Sequence, residues 1–495
     1  MELYHLLQEA GIEKERFQHL KNITVKGICC DSRRVQAGDI FVALRGRQTD
    51  GASFIAEARE RGAALIIGER VRGGQTLCVE NAREALSALC DAWHGHPGRS
   101  LSLIGVTGTN GKTSICAMLE WILQRAGERV GVIGTVATRA CGEEIACKNS
   151  NALANMTTPD PTELYEILAE MRARNVRFVV MEVTSHALAL SKVAPLHFQR
   201  AVFSNLTAEH LDFHTDMEAY FAEKKKLFSL CERAVVSHST PFGKRLCESM
   251  ECPFFAVSPD TLSDILLKGE QGAQFRLRLG EQDCLLSVPV PGYFSVENAA
   301  LAATTAFSLG VPTDVIQGAL ASFPGVRGRM ERVSVAGVDP VAFLDYAHTP
   351  DALEKLLQAV RSFSPIGARI TVLFGCGGDR DRSKRRAMGA IASRLADFVI
   401  LTSDNARFED PLEILSEILR GVDKEKPYAV IPDRREAIKF AVDNARQGEI
   451  LVLAGKGHET YEIRGAERLP FCEREILLAC MRDRLGGGAH ADHSV

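Results

Sequence analysis

The sequence predicts an α/β protein in three domains: a small N-terminal α/β domain, a central P-loop-type domain on a mostly parallel sheet, and a C-terminal Rossmann-like α/β domain. Three observations support this. A chain of 495 residues exceeds one ordinary core, since a domain usually takes about 100–200 residues. Proline and glycine punctuate it at Pro97-Gly98-Arg99-Ser100 and near Pro324-Gly325, dividing it into 1–98, 99–325 and 326–495. Short apolar runs alternate with helical patterns, as expected of strands covered by helices.

Taken in order, 40–44 and 64–67 read as buried strands and 54–62 as a helix. After the first boundary, 101–106 is a strand, followed by a Gly-rich turn and a helix at 114–125. Strand-loop-helix units recur at 130–135, 178–182 and 201–205, the pattern of a parallel sheet. In the last part, strands at 341–345, 370–374, 398–401 and 450–453 alternate with helices, which predicts a doubly wound sheet. The Gly- and His-rich tail at 486–495 reads as disordered.

Composition narrows the class. With 46% hydrophobic residues, 25% charged residues and a net charge of -4, the chain has no basic footprint for nucleic acid or anionic lipid. Glu2, Glu9, Glu13 and Lys14 stand where a signal peptide would be apolar. No uncharged stretch reaches the roughly 18 residues of a membrane span. The 14 cysteines are scattered, without CxxC pairs, and read as reduced thiols. These features predict a cytoplasmic protein acting on small molecules, with no nucleic acid and no membrane as partner; a monomer is expected, although no sequence feature addresses oligomeric state.

The strongest local signal is GVTGTNGKT at 105–113, set between a strand and a helix. Glycines let backbone N–H groups approach phosphate oxygens, and the helix N-terminus favours negative charge. Lys112 reaches the terminal phosphates, and the Thr113 hydroxyl suits Mg²⁺. Gly108, Thr109, Asn110, Gly111, Lys112 and Thr113 are therefore the candidate ATP-binding residues. A plain turn has no use for the Lys-Thr pair. The first glycine departs from the general phosphate-loop pattern, which would need Gly at Val106.

Glu182 ends an apolar run and so sits at a strand's carboxyl end, where ligands bind in open α/β sheets. NLTAEHLDFH at 205–214 likewise follows a strand. A hard carboxylate and His210 at neighbouring strand ends suit Mg²⁺ bridging ATP phosphates. The bland alternatives are a helix cap for Glu182 and a surface role for His210.

The loop at 107–113 resembles that of the Mur ligases and their relative folylpolyglutamate synthetase, which join an amino acid to a carboxylate through an acyl phosphate. The resemblance continues in DSRRVQAGDIFVALRG at 31–46, YFAEKKKLF at 220–228, GYFSVENAALAA at 292–303, GVRGRME at 325–331 and FLDYAHTPD at 343–351. It implies Lys112, Glu182, His210 and Lys224 as catalytic residues, with Thr113, Glu182, His210 and Lys224 at the metal. Lys224 would act as a CO₂-derived carbamate, because an ammonium would repel Mg²⁺. By itself the Lys224–Lys226 triplet reads as a solvated helix face; only register within the motif selects Lys224. The resemblance also implies Asn298 at adenine, Asp345 at the ribose and Arg329 at the γ-phosphate. The N-terminal domain would bind UDP through Ser32, with Thr157, Thr158, Thr184 and Lys192 along the rest of the UDP substrate. Ser295 stands where the family has Asn, and Leu190 and Lys192 stand where it has Gln and Arg. Lys192 can meet an anion only as a point charge, and Leu190 cannot hydrogen-bond.

Within this family the likeness is to members that add the third residue to UDP-N-acetylmuramoyl-L-Ala-D-Glu in peptidoglycan biosynthesis. Members adding meso-diaminopimelate carry DNPR, whose Arg grips the far carboxylate; lysine-adding members lack that Arg. Here the segment is DNAR at 404–407, which implies Asp404, Asn405 and Arg407 as amino-acid contacts, joined by Arg385, Gly455 and Glu459. The implied substrates are UDP-N-acetylmuramoyl-dipeptide and meso-diaminopimelate, with ATP and Mg²⁺ as cofactors. Domain closure around 324–329 would assemble the site. The UDP loop disfavours a folylpolyglutamate synthetase, Arg407 a lysine-adding ligase, and the intact Lys112, Glu182, His210 and Lys224 a silent nucleotide-binding scaffold.

Overall fold

The computed structural model describes residues 1–13, 16–17, 20, 23–46, 49–145, 156–211 and 213–488. Gln48, in the stretch after the UDP-type loop, and residues 489–495 of the tail lie outside them. Helix Glu473–Gly488 extends into the first positions of that tail.

Four parallel strands, Gly27–Cys29, Asp39–Ala43, Leu65–Gly68 and Thr76–Cys78, pair in chain order. The two central ones are buried at every position, as strands covered on both faces must be. Helix Ala82–Trp93 packs on them through Leu86, Leu89 and Cys90, which share one helical face. Asn81 caps it, accepting the N–H groups of Arg83 and Glu84. The helix expected at 54–62 is a 3₁₀ turn, Gly51–Phe54, followed by α-helix Ile55–Glu60.

The next sheet has eight strands. In spatial order they are Phe254–Val257, Cys231–Ser237, Phe198–Phe203, Ser102–Thr107, Phe178–Glu182 and Val130–Ile133, all parallel, then Thr138–Ala140 and Glu143–Glu144, antiparallel at the edge. This order positions the site. Ser102–Thr107 lies between Phe178–Glu182 and Phe198–Phe203, with Val106 beside Glu182 and Thr107 beside Phe203. The phosphate loop and the segments after Glu182 and Phe203 therefore leave adjacent strand ends on the same side.

A separate antiparallel sheet, Leu262–Leu267, Ala273–Leu279 and Gln282–Val288, was not foreseen. Phe275, Leu277 and Leu279 are buried while Arg276 and Arg278 are exposed, the alternation of a strand wet on one face. Its buried face shares a core with helices Lys112–Arg125 and Tyr293–Ser308.

The last large sheet orders Glu331–Val333, Val341–Asp345, Ile450–Ala454, Ile370–Phe374, Phe398–Leu401 and Tyr428–Val430, parallel except for the first pair. Its central strands, Ile450–Ala454 and Ile370–Phe374, are buried throughout. The cysteines among the described residues are free thiols, several buried but Cys78 and Cys141 exposed. Among the described residues no helix is long and apolar enough to cross a membrane.

Candidate active site

The phosphate loop is held by close approach. Gly108 and Gly111 have φ of 145° and 89°, and a Cβ there would lie 2.0 Å from Ser204 Oγ and 2.4 Å from Asn298 Oδ1 respectively. Only glycine fits both positions. Asn205 Oδ1 accepts the Asn110 N–H at 3.0 Å, and Thr109 Oγ1 accepts the Thr207 N–H at 3.0 Å, which ties the loop to the next strand end. Lys112 Nζ donates back to the carbonyls of Gly108 (3.0 Å) and Thr109 (2.8 Å). The loop opens helix Lys112–Arg125, whose free N–H groups favour an anion.

Glu182 is 1% exposed. Its Oε1 accepts the Thr113 hydroxyl at 3.1 Å and the Thr135 N–H at 2.8 Å, and its Oε2 accepts the Thr135 hydroxyl at 3.1 Å. A Cβ on Gly134 would sit 2.5 Å from that carboxylate. His210 adopts a left-handed φ of 58° and packs edge-on against His186 at 4.9 Å. Burial brings its imidazole down to about 4, so it presents a neutral ring.

The lysine triplet is resolved by burial. On helix Met217–Ser229, Lys224 is 1% exposed, Lys225 half-buried and Lys226 exposed. Lys224 Nζ donates to Gly108 O at 2.9 Å and lies 4.7 Å from the Tyr220 ring centroid. Burial, then the nearby Lys112 charge, hold its ammonium well below the usual lysine range. The donor set fits a divalent cation: a hydroxyl and a carboxylate, both hard oxygens, stand beside the phosphate loop. It fits a carbamate too, since that group forms on a neutral amine and keeps an N–H for Gly108 O.

The last large sheet supplies the opposite wall. Arg329 Nη2 donates to Thr113 Oγ1 at 3.1 Å, its guanidinium lies 4.5 Å from the Tyr346 ring centroid, and its buried Nε has no hydrogen-bond partner among the described residues. Asp345 accepts the N–H groups of Met330 and Ala347, each at 2.7 Å, and burial raises its carboxyl. Asn110 Nδ2 meets Asp351 at 2.9 Å, and His348 Nε2 meets Glu209 at 3.1 Å. Burial pushes the Glu209 carboxyl up, but the His348 hydrogen bond and nearby cationic groups, Lys112 among them, outweigh it and hold it below the carboxylate range. Asn298 is buried at the cleft edge. Ser295 donates to Pro291 O at 2.8 Å and serves its own helix start.

At the far end of the cleft, Arg407 has a left-handed φ of 53°. Its N–H donates to Ile463 O at 3.2 Å and its carbonyl accepts the Gly465 N–H at 2.7 Å. Its Nη1 donates to Gly378 O at 2.7 Å; among the described residues it makes no ion pair. Burial and the nearby Arg380 lower its pKa. Asn405 Nδ2 donates to Glu459 at 2.8 Å, and its Oδ1 accepts from Lys456 Nζ at 3.1 Å. Burial raises Asp404, but Lys456 and Arg434 override it and bring the carboxyl to about 2. Burial and Asp404 raise Glu459. Gly455, with φ of 110°, lets the backbone pass 3.1 Å from Asp404 Oδ2 as measured from an added Cβ.

One residue expected as an amino-acid contact is placed behind the cleft wall. Arg385 is 0% exposed and not in the cleft wall. It pairs with Glu409 (3.0 Å) and Glu417 (2.9 Å), because its place on the first turn of helix Ser383–Leu395 turns it toward these carboxylates. Arg380 and Lys384, from the same segment, face the cleft instead. Ser32 also lies outside this cleft, donating to Glu57 Oε2 at 2.6 Å. Its neighbour Cys30 feels the charge of Asp160, which pairs with Lys192 at 2.8 Å, so the N-terminal loop approaches the Lys192 end. Thr157 shares a hydrogen bond with Thr135 (2.9 Å). Thr158 donates to Glu182 O (2.8 Å), and Thr184 caps the helix Ser185–Ala189. Leu190 adds an apolar contact to the wall.

These walls enclose a cleft of about 730 Å³. It brings together the phosphate loop, Thr157, Thr158, Glu182, Thr184, Lys192, His210, Asn298, Arg329, Asp345, Asp404, Asn405, Arg407, Gly455 and Glu459, with Lys224 behind the loop at Gly108. The sequence reading passed over Arg380, Lys456, Glu209 and His186; of these, Glu209 lies inside a motif quoted above, NLTAEHLDFH at 205–214.

A phosphate loop that shares one cleft with Asp404, Arg407 and Glu459 is an arrangement that suits an ATP-dependent acid–amino-acid ligase. Profiles described as "Mur ligase family, catalytic domain", "Mur ligase middle domain" and "Mur ligase, glutamate ligase domain" match residues 24–93, 106–306 and 328–457. The chain belongs to the Mur ligase family. It is 39% identical over 466 residues (92% of this chain, 94% of the relative) to a protein of Caldanaerobacter subterraneus subsp. tengcongensis named UDP-N-acetylmuramoyl-L-alanyl-D-glutamate--2,6-diaminopimelate ligase. It is also 39% identical over 499 residues (99% of each chain) to a protein of that name from Gloeobacter violaceus. A solved structure of the same name superposes with a TM-score of 0.67 at 28% identity, covering 98% of this chain and 100% of that one. Mycobacterium tuberculosis folylpolyglutamate synthase, complexed with ADP and AMPPCP, shares the fold at a TM-score of 0.60 and 19% identity over 75% of this chain and 92% of its own.

Proposed function

We propose that this enzyme adds meso-2,6-diaminopimelate to the D-Glu γ-carboxylate of UDP-N-acetylmuramoyl-L-Ala-D-Glu, using ATP and an acyl phosphate, in peptidoglycan biosynthesis in the cytoplasm. The observation that carries the choice of amino acid is Arg407, a guanidinium facing the cleft without a carboxylate partner among the described residues. It suits the second carboxylate of diaminopimelate and repels the side-chain ammonium of lysine. Relatives named for that amino acid support the reading.

The roles divide by domain: 1–98 for the uridine end through Ser32, 99–325 for ATP, and 326–495 for the amino acid. Thr157, Thr158, Thr184 and Lys192 line the path from Ser32 to Glu182. Asn298 faces adenine and Asp345 the ribose. Mg²⁺ held by Thr113, Glu182, His210 and the Lys224 carbamate would neutralise the charge of two converging anions.

The D-Glu carboxylate oxygen attacks the γ-phosphorus and ADP leaves. The neutral amine nitrogen of diaminopimelate then attacks the acyl carbon, phosphate leaves with the C–O bond electrons, and the proton the nitrogen sheds passes to solvent. Lys112 exchanges its loop carbonyls for phosphate oxygens, and Arg329 adds a second cation, so catalysis is positioning and electrostatics. Asp404 and Glu459 grip the amino group, while Arg407 and Arg380 hold the far carboxylate. Arg385 acts behind them by fixing Glu409 and Glu417.

The test is phosphate release from purified protein with ATP, Mg²⁺ and the UDP-dipeptide, adding diaminopimelate or lysine. Release with diaminopimelate is expected. Release with lysine alone would overturn the amino-acid assignment, and release with neither would return the protein to a nucleotide-binding scaffold.

A further inference from the structure

We propose that Glu209 and His348 form a latch between the middle and C-terminal lobes, with His348 as a positioning residue that holds the Glu209 side chain in place only when the lobes are closed. The inference rests on the ligase reading above.

Glu209 follows the strand Phe198–Phe203 and adjoins His210; its side chain is 13% exposed. One carboxylate oxygen lies 3.1 Å from His348 Nε2 and the other 3.7 Å from His210 Nε2. On the other side of the same ring, His348 Nδ1 lies 2.9 Å from Tyr346 O. His348 Nε2 thus stands within hydrogen-bond reach of Glu209 from the opposite lobe, with the ring held on its other side by Tyr346 O. Lys384 Nζ, donating to His348 O at 2.8 Å, fixes the loop that carries the ring.

The same loop reaches the phosphate loop by a second route. The Tyr346 ring packs on His348 at 4.7 Å and on the guanidinium of Arg329, which donates to Thr113. Arg329 belongs to the hinge itself, whereas His348 lies beyond the first parallel strand of the C-terminal sheet. Opening the cleft therefore separates Glu209 from His348.

The electrostatic consequence follows. Glu209 lines the cleft in which a phosphate and a carboxylate must meet, and a carboxylate free to turn toward them repels both. Docking of the lobe that carries His348 supplies the contact that holds the carboxylate aside. Phosphoryl transfer is thereby favoured when the acceptor lobe is in place.

The experiment is a steady-state double-mutant cycle on the full chain with His348→Ala, Glu209→Gln and the pair. Wild type is first shown to release phosphate with all three substrates; if it does not, the ligase reading fails and the latch is moot. In an active enzyme His348→Ala should lower kcat about 30-fold while the KM for ATP changes less than about twofold. His348→Gln, which keeps a donor for Glu209 without charge, should recover part of that loss. With Glu209 already replaced by Gln, His348→Ala should cost less than about threefold. Unchanged kcat in His348→Ala, or losses that simply multiply in the double variant, would remove the latch and leave the ligase assignment standing. Thermal unfolding of each variant identifies any that fails to fold, in which case the Gln variant and the cycle in the remaining background decide.

Discussion

Replacing Arg407 by Ala tests the amino-acid assignment most directly. Arginine carries five N–H donors; here Nη1 serves Gly378 O at 2.7 Å and Asn405 O at 3.4 Å. Among the described residues Nε and Nη2 make no hydrogen bond, which leaves the edge a carboxylate would meet. The guanidinium is already partly desolvated and crowded by Arg380, so much of the cost of holding an unpaired cation is borne by the free protein. Two charge-assisted hydrogen bonds contribute about 1.5–3 kcal/mol each. Allowing for the desolvation of the ligand carboxylate, roughly one bond's worth survives, about 2–3 kcal/mol, or a ~30- to 150-fold rise in KM for diaminopimelate. The fold should tolerate the change, because Ala at the φ of 53° bears strain like that of Arg, and the backbone bonds to Ile463 and Gly465 remain. Phosphate release at saturating ATP and UDP-dipeptide, with diaminopimelate varied, measures it. Arg407→Lys should fall between, since an ammonium lacks the fork. A KM for diaminopimelate within about threefold of wild type in Arg407→Ala would refute the reasoning.

Lys224→Ala should abolish turnover while Lys225→Ala and Lys226→Ala retain it. In enzyme equilibrated with ¹³CO₂, a carbamate carbon resonance should disappear only in the Lys224 variant. Glu182→Gln removes the negative charge to which the Thr113 hydroxyl donates and should lower kcat about 100-fold or more with a raised Mg²⁺ requirement, checked by titrating Mg²⁺. Gly111→Ala puts a Cβ 2.4 Å from Asn298 Oδ1 and should weaken ATP binding more than about tenfold by calorimetry. The Arg385 hydrogen bonds hold the Glu409 carboxyl at about 2. A depressed folded value means this stabilisation is present above the ordinary carboxylate pKa and fades as pH falls through about 2. Arg385→Met should therefore lower the unfolding temperature at pH 7, by a margin that shrinks below about pH 4.5.

Much of the site lies in contiguous motifs. The phosphate loop, Glu182, and the Asp404 to Arg407 run bring their partners along the chain or at strand ends, so local pattern suffices to find them. Arg385 shows the limit. Arg380 and Arg385 sit in one basic segment, and only the direction in which helix Ser383–Leu395 leaves the loop decides that Arg380 meets the cleft while Arg385 meets Glu409 and Glu417. The sheet at 262–288 was missed because its strands alternate between wet and dry faces, whereas continuous apolar runs mark buried parallel strands.

By itself the sequence determined the α/β class, the order of the strand-loop-helix units and the chemistry of the nucleotide loop, because strand burial and phosphate binding impose short-range patterns on the chain. Tertiary structure alone decided which lysine of the triplet is buried, which arginine faces the cleft, and how Thr113 meets Arg329 across 216 residues and Glu209 meets His348 across 139. Burial and charge pairing depend on what packs around a side chain, and those neighbours come from other elements whose placement no local pattern records.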